Sequence, residues 1–338
     1  MKGTKKGLLA VATLLIVAML VSLAGCGAST KSTDNTTTTK PEKTYKIGAV
    51  QIVEHPALDA AYKGFKEELA AEGIKADIDF QNAQGDTNTL NTIATKFVSD
   101  KKDLIFAIAT PSAQAVASQT KDIPIVATAV TDFVDAKLVA SNDAPGGNVT
   151  GTSDMNPVDK QIDLGIELVP TAKTVGLCYN SSESNSILQI NLAKKEIEAK
   201  GLKWTEVTVT GANDVQQAIQ SLVTKCDFIY LPTDNTLASA MATVAGVTNA
   251  AKKPVIAAEP NMVKGGALAT VGVDYLSLGK AAGKMAADIL KNGKKPGDMA
   301  IQFAQDPQVV VNSDIVKAIG ITIPDKYQQY VKAPADIS

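Results

Sequence analysis

The residue types able to do covalent chemistry are few in this chain. There is one histidine, His55, in the run Glu54-His55-Pro56, and there are three cysteines in 338 residues. That is too little for a metal-ligand set, and His55 has no downstream partner for a nucleophilic triad. No G-x-S-x-G elbow and no G-x-x-x-x-G-K phosphate loop occur, and the glycine spacing of Gly272 to Lys280 does not fit one. All 33 basic side chains are lysine. Without a guanidinium fork, an anionic ligand has to be held by helix N-termini, hydroxyls or lysine. What remains is a set of short polar runs, each following an apolar stretch: Thr110-Pro111-Ser112, Thr131-Asp132, Asn180 to Ser184, Asp234-Asn235, Glu259 and Asp274. Hydroxyls, amides and carboxylates so placed bind ligands; they do not form a catalytic set.

The elements that position these runs follow a strand, loop, helix, glycine, strand pattern. Lys46 to Ile52 is a β-branched strand, Leu58 to Leu69 has helical spacing, Gly73 stops it, and Ile74 to Phe80 alternates as a strand. The unit returns with Thr174 to Cys178, Ile187 to Ile197, Gly201 and Leu202 to Val209. An offset of 128 residues maps Gly48 onto Gly176, Gly73 onto Gly201 and Asp86 onto Asp214, and an offset of 124 maps Asp103 onto Asp227. Four landmarks in register predict two lobes of like topology, each an α/β sandwich with a parallel sheet. Third strands are expected at Asp103 to Ile108 and Asp227 to Leu231, fourth at Pro124 to Ala127 and Pro254 to Ala257, and fifth at Val149 to Thr152 and Ala267 to Val273.

The runs Ile47-Gly48-Ala49-Val50, Ala109-Thr110-Pro111-Ser112-Ala113, Ala129-Val130-Thr131-Asp132, Gly151-Thr152-Ser153-Asp154, Tyr179-Asn180-Ser181-Ser182-Glu183, Pro232-Thr233-Asp234-Asn235 and Gly272-Val273-Asp274-Tyr275 together resemble the substrate-binding lipoproteins of ABC importers. The similarity is to a type I periplasmic-binding-protein family that includes binders of tryptophan and other aromatic amino acids, and it covers Tyr45 to about Tyr327. It implies two Rossmann-like lobes hinged by three crossovers, placed near Ser153, Tyr275 and Asp306. Lobe 1 is then 45–153 plus 276–305, and lobe 2 is 154–275 plus 306–331. The implied partners are an ABC permease and ATPase and a small ligand, an aromatic or other hydrophobic L-amino acid. The chain is expected to act as a monomer, with no cofactor, no metal and no nucleic acid.

In parallel α/β sheets ligands lie beyond the carboxyl ends of the strands. Lobe 1 offers Glu54, His55, Asp86, Thr110, Ser112, Thr131 and Asp132 there; lobe 2 offers Asn180, Glu183, Ser184, Asp234, Asn235, Glu259 and Asp274. Ser112, ahead of a helix from Ala113, either caps it or presents its N-terminus to a carboxylate. Thr131 and Asp132 either share an amino-acid head group or form a turn. Related branched-chain amino-acid receptors place an acid for the ligand ammonium at the position of Glu259; Asp274 is the alternative, and both also read as caps. Asp234, Asn235 and the run Asn180 to Asn185, Glu183 included, either bind ligand or cap helices, and His55 makes a ring contact or is structural. Phe133, Tyr179 and Tyr275 are the candidates for stacking.

Residues 1 to 25 form an export signal: Lys2, Lys5 and Lys6, an apolar run from Leu8 to Val21, and Leu23-Ala24-Gly25 before Cys26. The apolar run is shorter than the roughly 20 residues of a membrane span. Its end resembles the lipobox of bacterial lipoproteins, which implies a lipidated Cys26 and a protein held on the outer face of the cell membrane. Residues 26 to 44 read as a polar, flexible tether. Removing residues 1 to 25 takes away three lysines and no acid, moving the formal charge from −2 to −5, and nothing suggests a nucleic-acid partner. Cys178 and Cys226 are expected as buried thiols, a disulfide between them being the alternative. A ligand sensor for a membrane receptor, or a receptor for a nucleoside-like solute, shares these features; a hydrolase does not.

Overall fold

The computed structural model describes residues 43–337, and the export signal, Cys26 and the tether up to residue 42 lie outside them. The first part of the chain runs β1 (Tyr45–Gln51), α1 (Pro56–Ala71), β2 (Ala76–Asn82), α2 (Thr87–Ser99), β3 (Leu104–Ile108), α3 (Thr110–Gln119), β4 (Ile125–Val130) and β5 (Val149–Ser153). The second runs α4 (Val158–Leu168), β6 (Thr174–Asn180), α5 (Ser184–Ala199), β7 (Lys203–Val209), α6 (Val215–Leu222), β8 (Phe228–Leu231), α7 (Asn235–Ser239), α8 (Met241–Ala250), β9 (Val255–Ala257), α9 (Pro260–Lys264) and β10 (Ala269–Gly272). Then follow α10 (Tyr275–Asn292), β11 (Gln302–Phe303), β12 (Gln308–Asn312), α11 (Ser313–Ile319) and β13 (Val331–Lys332).

Two sheets result. One has the order β11-β5-β4-β3-β1-β2 and is parallel throughout; the other is β13-β12-β10-β9-β8-β6-β7. The expectation of wholly parallel sheets fails at β12, which runs antiparallel to β10 because the chain leaves β11 beside the carboxyl end of β5 and enters the second sheet at the carboxyl end of β10, where Gln308 pairs with Gly272. The backbone passes between the sheets after Ser153, after Gly272 and after Phe303. Helix α10 returns to the first sheet, where Leu278, Ala282, Met285 and Ala286 join the core of Phe65, Phe97 and Phe106. Strands β3 and β4 are buried along their whole length, as apolar runs in a sheet covered on both faces must be.

The repeat has a structural meaning at two of its pairs of landmarks. Gly73 and Gly201 end α1 and α5 in the left-handed region, at φ 68° and 74°. Asp103 accepts a hydrogen bond from the backbone N–H of Lys46 at 2.7 Å, and Asp227 accepts from Lys173 and Thr174 at 2.7 and 2.8 Å. Each carboxylate thus pins the start of the neighbouring first strand. Strand β2 starts at Ala76, two residues later than the alternation suggests. Ile74 is spent on the turn instead: its N–H bonds the Leu69 carbonyl at 2.9 Å, and its side chain is buried under α1. Cys178 and Cys226 are free, buried thiols, pushed by burial to about 12 and about 11.

Candidate functional site

The carboxyl ends of both sheets meet around one small space between the lobes. Lobe 1 contributes His55, Ala129 and Thr131; lobe 2 contributes Asn185, Asp234, Asn235 and Glu259; Asp154 and Tyr275 come from the segments joining the lobes. Local structure explains each. His55 is the N-cap residue of α1 with Pro56 fixing the first turn, so its ring is not used for capping. Its Nε2–H donates to Asn235 Oδ1 at 3.3 Å across the cleft, and Nδ1 has no partner. Ala129 has φ 54°, an unusual conformation for a residue with a Cβ, and the pairing of β4 with β5 shifts register between Ala127 and Val130. Such a bulge re-aims the residues after it, here Thr131.

Asp154 is fully buried and accepts from Tyr275 Oη at 2.6 Å and from Thr131 Oγ1 at 3.2 Å. Burial pushes its carboxyl up. Glu259 caps α9, accepting from the N–H groups of Asn261 and Met262 at 2.6 and 2.9 Å, yet burial and the nearby charge of Asp154 raise it to about 7. Asp234 caps α7 through Leu237 N–H at 2.8 Å and is raised to about 7 by burial and by Glu183. His55 goes the other way: burial lowers it to about 4, so it is neutral at pH 7. Three buried acids and no lysine line this space.

Helix α3 opens beside a wider mouth between the lobes, which Pro111 lines, and Gln114 donates to Ser184 Oγ across it at 3.4 Å. The helix starts at Thr110, so Ser112 lies inside the first turn and is not the cap, because Pro111 has the φ a first turn needs. The residue before it, Ala109, sits at φ 79° and offers no side-chain cap. Thr110 and Ser112 are buried with hydroxyls that have no partner. The first N–H groups of such a helix have no intrahelical acceptor.

The other candidates fall elsewhere. Glu183 is the N-cap residue of α5 and accepts from the N–H groups of Asn235 and Thr236, both at 3.2 Å. With Asn180 it faces the wider mouth between the lobes, which Asp86 also lines. Asn180 spends its amide on Thr236 at 2.8 Å. Asp132 holds a turn through Val134 and Asp135 N–H, and exposed Asp274 caps α10 through Leu276 and Ser277 N–H, both outside the cavity. Glu54 is exposed, Phe133 is in the core of lobe 1, and Tyr179 bonds Glu206; Tyr275 is the aromatic that faces the cavity. Sequence reasoning missed Asp154 and Gln189 as site residues. Asn185 and Gln189 are four apart on α5, a polar pair on a buried helix face, which was a readable signal.

Two α/β lobes joined by three crossings, with buried polar groups facing each other between them, define a two-lobed solute-binding protein of the type I periplasmic class. A family model described as ABC transporter substrate binding protein matches residues 46–333, and the chain belongs to that family, whose members are binding proteins and not enzymes. It is 45% identical over 315 residues to a tyrosine-binding protein of Clostridioides difficile (strain R20291), covering 92% of this chain and 91% of that one. Its fold is similar to a crystal structure of an ABC domain in complex with L-Trp from Streptococcus pneumonia (39% identity, TM-score 0.83, 86% of this chain and 99% of that). It is also similar to the ligand-free, open structure of a substrate-binding protein with adhesive properties from Clostridium difficile (48% identity, TM-score 0.65, 86% and 98%). The better superposition falls on the less identical chain, the one with ligand. That agrees with the bonds His55–Asn235 and Gln114–Ser184, which draw the lobes of this protein together.

Proposed function

We propose that this chain captures an L-amino acid with a large apolar side chain between its lobes and hands it to the permease of an ABC importer. The carrying observation is the set of three buried acids, Asp154, Asp234 and Glu259, around one cavity that no lysine lines. Buried carboxylates without a counter-charge are costly, so the site favours a cationic group. The ligand ammonium sits between Asp154 and Glu259, whose charges already act on each other. Its carboxylate takes the unpaired hydroxyls of Thr110 and Ser112 and the first-turn N–H groups of α3. Leu58, Ala238, Met262 and the Tyr275 ring supply apolar surface for the side chain. The names of the relatives, a tyrosine binder and an L-Trp complex, support an aromatic amino acid. A nucleoside-like solute brings no ammonium and leaves the acids uncompensated.

The protein works as a lipoprotein, cut before Cys26, lipidated there and held by two acyl chains on the outer face of the cell membrane. Capture is by closure: ligand gains free energy only where both rims touch it, and that gain drives the lobes together. Calorimetric titration of the full-length protein with tyrosine, tryptophan, phenylalanine, leucine and adenosine tests the reading. Micromolar binding of an aromatic amino acid, about −8 kcal/mol, is expected; silence toward all the amino acids rejects it. Cys26→Ala is expected to move the protein from the membrane fraction to the soluble one, and continued sedimentation with membranes rejects the anchor.

A further inference from the structure

We propose that Gln189 is a positioning residue: it reaches across the cleft and sets the direction of the hydrogen bonds that hold Asp154, so that the ammonium partner is fully prepared only when the lobes meet. Gln189 lies in the middle of α5 in lobe 2 and is fully buried. Its Oε1 accepts from both the N–H and the hydroxyl of Thr233, each at 3.2 Å, which fixes the amide orientation. Its Nε2 therefore points at lobe 1 and donates to Thr131 Oγ1 at 3.3 Å. A hydroxyl that accepts on one side is left to donate on the other, and Thr131 donates to Asp154 Oδ1 at 3.2 Å. Tyr275 completes the chain on Oδ2 at 2.6 Å.

Three features separate this relay from ordinary packing. It joins the two lobes, so it breaks when they part, whereas Thr131, Asp154 and Tyr275 belong to lobe 1 or its connections and can stay together. It ends on a carboxylate within the connecting segment that follows β5, at the hinge. And the groups it uses, Gln189, Thr131 and Asp154, are all buried, so the bonds form out of competition with water. Hydrogen bonds that donate to a carboxylate favour its charged form. Closure thus strengthens the ionised Asp154 that the ligand ammonium needs, and the ammonium in turn favours closure. This coupling rests on the amino-acid reading above; the latch between Gln189 and Thr131 does not.

The test uses the full-length chain with Gln189→Met, which keeps the length and loses the donor, and Gln189→Glu measured at alkaline pH, where an ionised carboxylate keeps both bonds from Thr233 and has no donor for Thr131. Small-angle scattering of the ligand-free protein reports lobe opening, and stopped-flow binding separates kon from koff. The expected result is a larger radius of gyration without ligand, koff raised roughly five- to tenfold, kon within about twofold, and a second change, Thr131→Val, whose effect on koff does not add to that of either Gln189 variant. If Gln189→Met does not fold, Gln189→Glu carries the test, since its contacts within lobe 2 are intact. Wild-type scattering and koff in the folded variants overturn the proposal, as does full additivity with Thr131→Val. If no amino acid binds the wild-type protein, the ligand reading fails, and the ligand-free scattering alone decides the latch: unchanged curves in both Gln189 variants overturn it.

Discussion

The two lobes repeat one scaffold but carry opposite chemistry at matching points. The N-cap residue of the first helix is His55 in lobe 1 and Glu183 in lobe 2; that of the helix after the third strand is Ala109 in one and Asp234 in the other. After the fourth strand, Asp132 and Glu259 both accept from the N–H groups two and three residues on, but Asp132 is turned away from the cavity and Thr131 faces it in its place. Lobe 1 therefore faces the cleft with neutral groups and free donors, while lobe 2 and the hinge face it with buried acids. A duplicated fold with a divided charge pattern suits a zwitterion, whose two ends need different walls. The positive φ of Ala109 and Ala129 sits where lobe 1 aims its donors.

The largest effect is expected on the acidic wall. Glu259→Gln removes charge while its amide oxygen can still cap α9, and it is expected to weaken amino-acid binding by about 3 kcal/mol, roughly a hundredfold, by calorimetry. An unchanged affinity removes Glu259 from the site.

Titration with pH tests the same wall without mutation. In the empty protein Glu259 and Asp234 are raised from 4.5 and 3.8 to about 7, so at pH 5.5 they hold protons that a cationic ligand must displace. Affinity is expected to rise roughly tenfold per pH unit for each ionising group between pH 5.5 and 7, to level above that, and to release protons to buffer at pH 6.5. The stability of the ligand-free protein moves the other way. A raised carboxyl binds more protons folded than unfolded, so its contribution is full below its ordinary value and lost as pH rises through about 7. His55, lowered from 6.5 to about 4, opposes this: its contribution is full above 6.5 and lost as pH falls through about 4.

Smaller changes belong to the other wall and to the acids outside it. Ser112→Ala deletes one hydroxyl that lacks a protein partner, and a loss of about 1 kcal/mol in binding is expected, with the melting temperature of the empty protein unchanged within error. Asp274→Ala is expected to leave affinity intact and to cost stability alone, about 1 kcal/mol for a lost helix cap. A binding defect there would move the acidic wall toward the hinge surface.

Much of the fold is legible because the repeat is written in residues whose physics is local. Gly73 and Gly201 are needed for a left-handed stop, and Asp103 and Asp227 for pinning a strand start. The acids of lobe 2 are legible for the same reason: Asp234 and Glu259 cap helices that follow strands. What the chain hides depends on distant partners. Asp154 looks like one more polar residue after a strand, and only tertiary packing brings the Tyr275 hydroxyl, 121 residues away, onto it. The bulge at Ala129 has no marker, since an alanine held at positive φ by its neighbours reads like any other alanine. The antiparallel β12 is hidden too, because strand direction is set by where the last crossing enters the sheet.

The most direct measurement is calorimetric titration of the full-length protein at pH 7.5 with tryptophan and tyrosine, each alongside its deaminated acid and its amide. With the charge split between the lobes, the zwitterions bind at micromolar affinity, the deaminated acids lose nearly all of it for want of an ammonium, and the amides are weakened less, because α3 offers hydroxyls and N–H groups to a neutral oxygen as well. Deaminated acids that bind as tightly as the amino acids would contradict an ammonium site at Asp154 and Glu259.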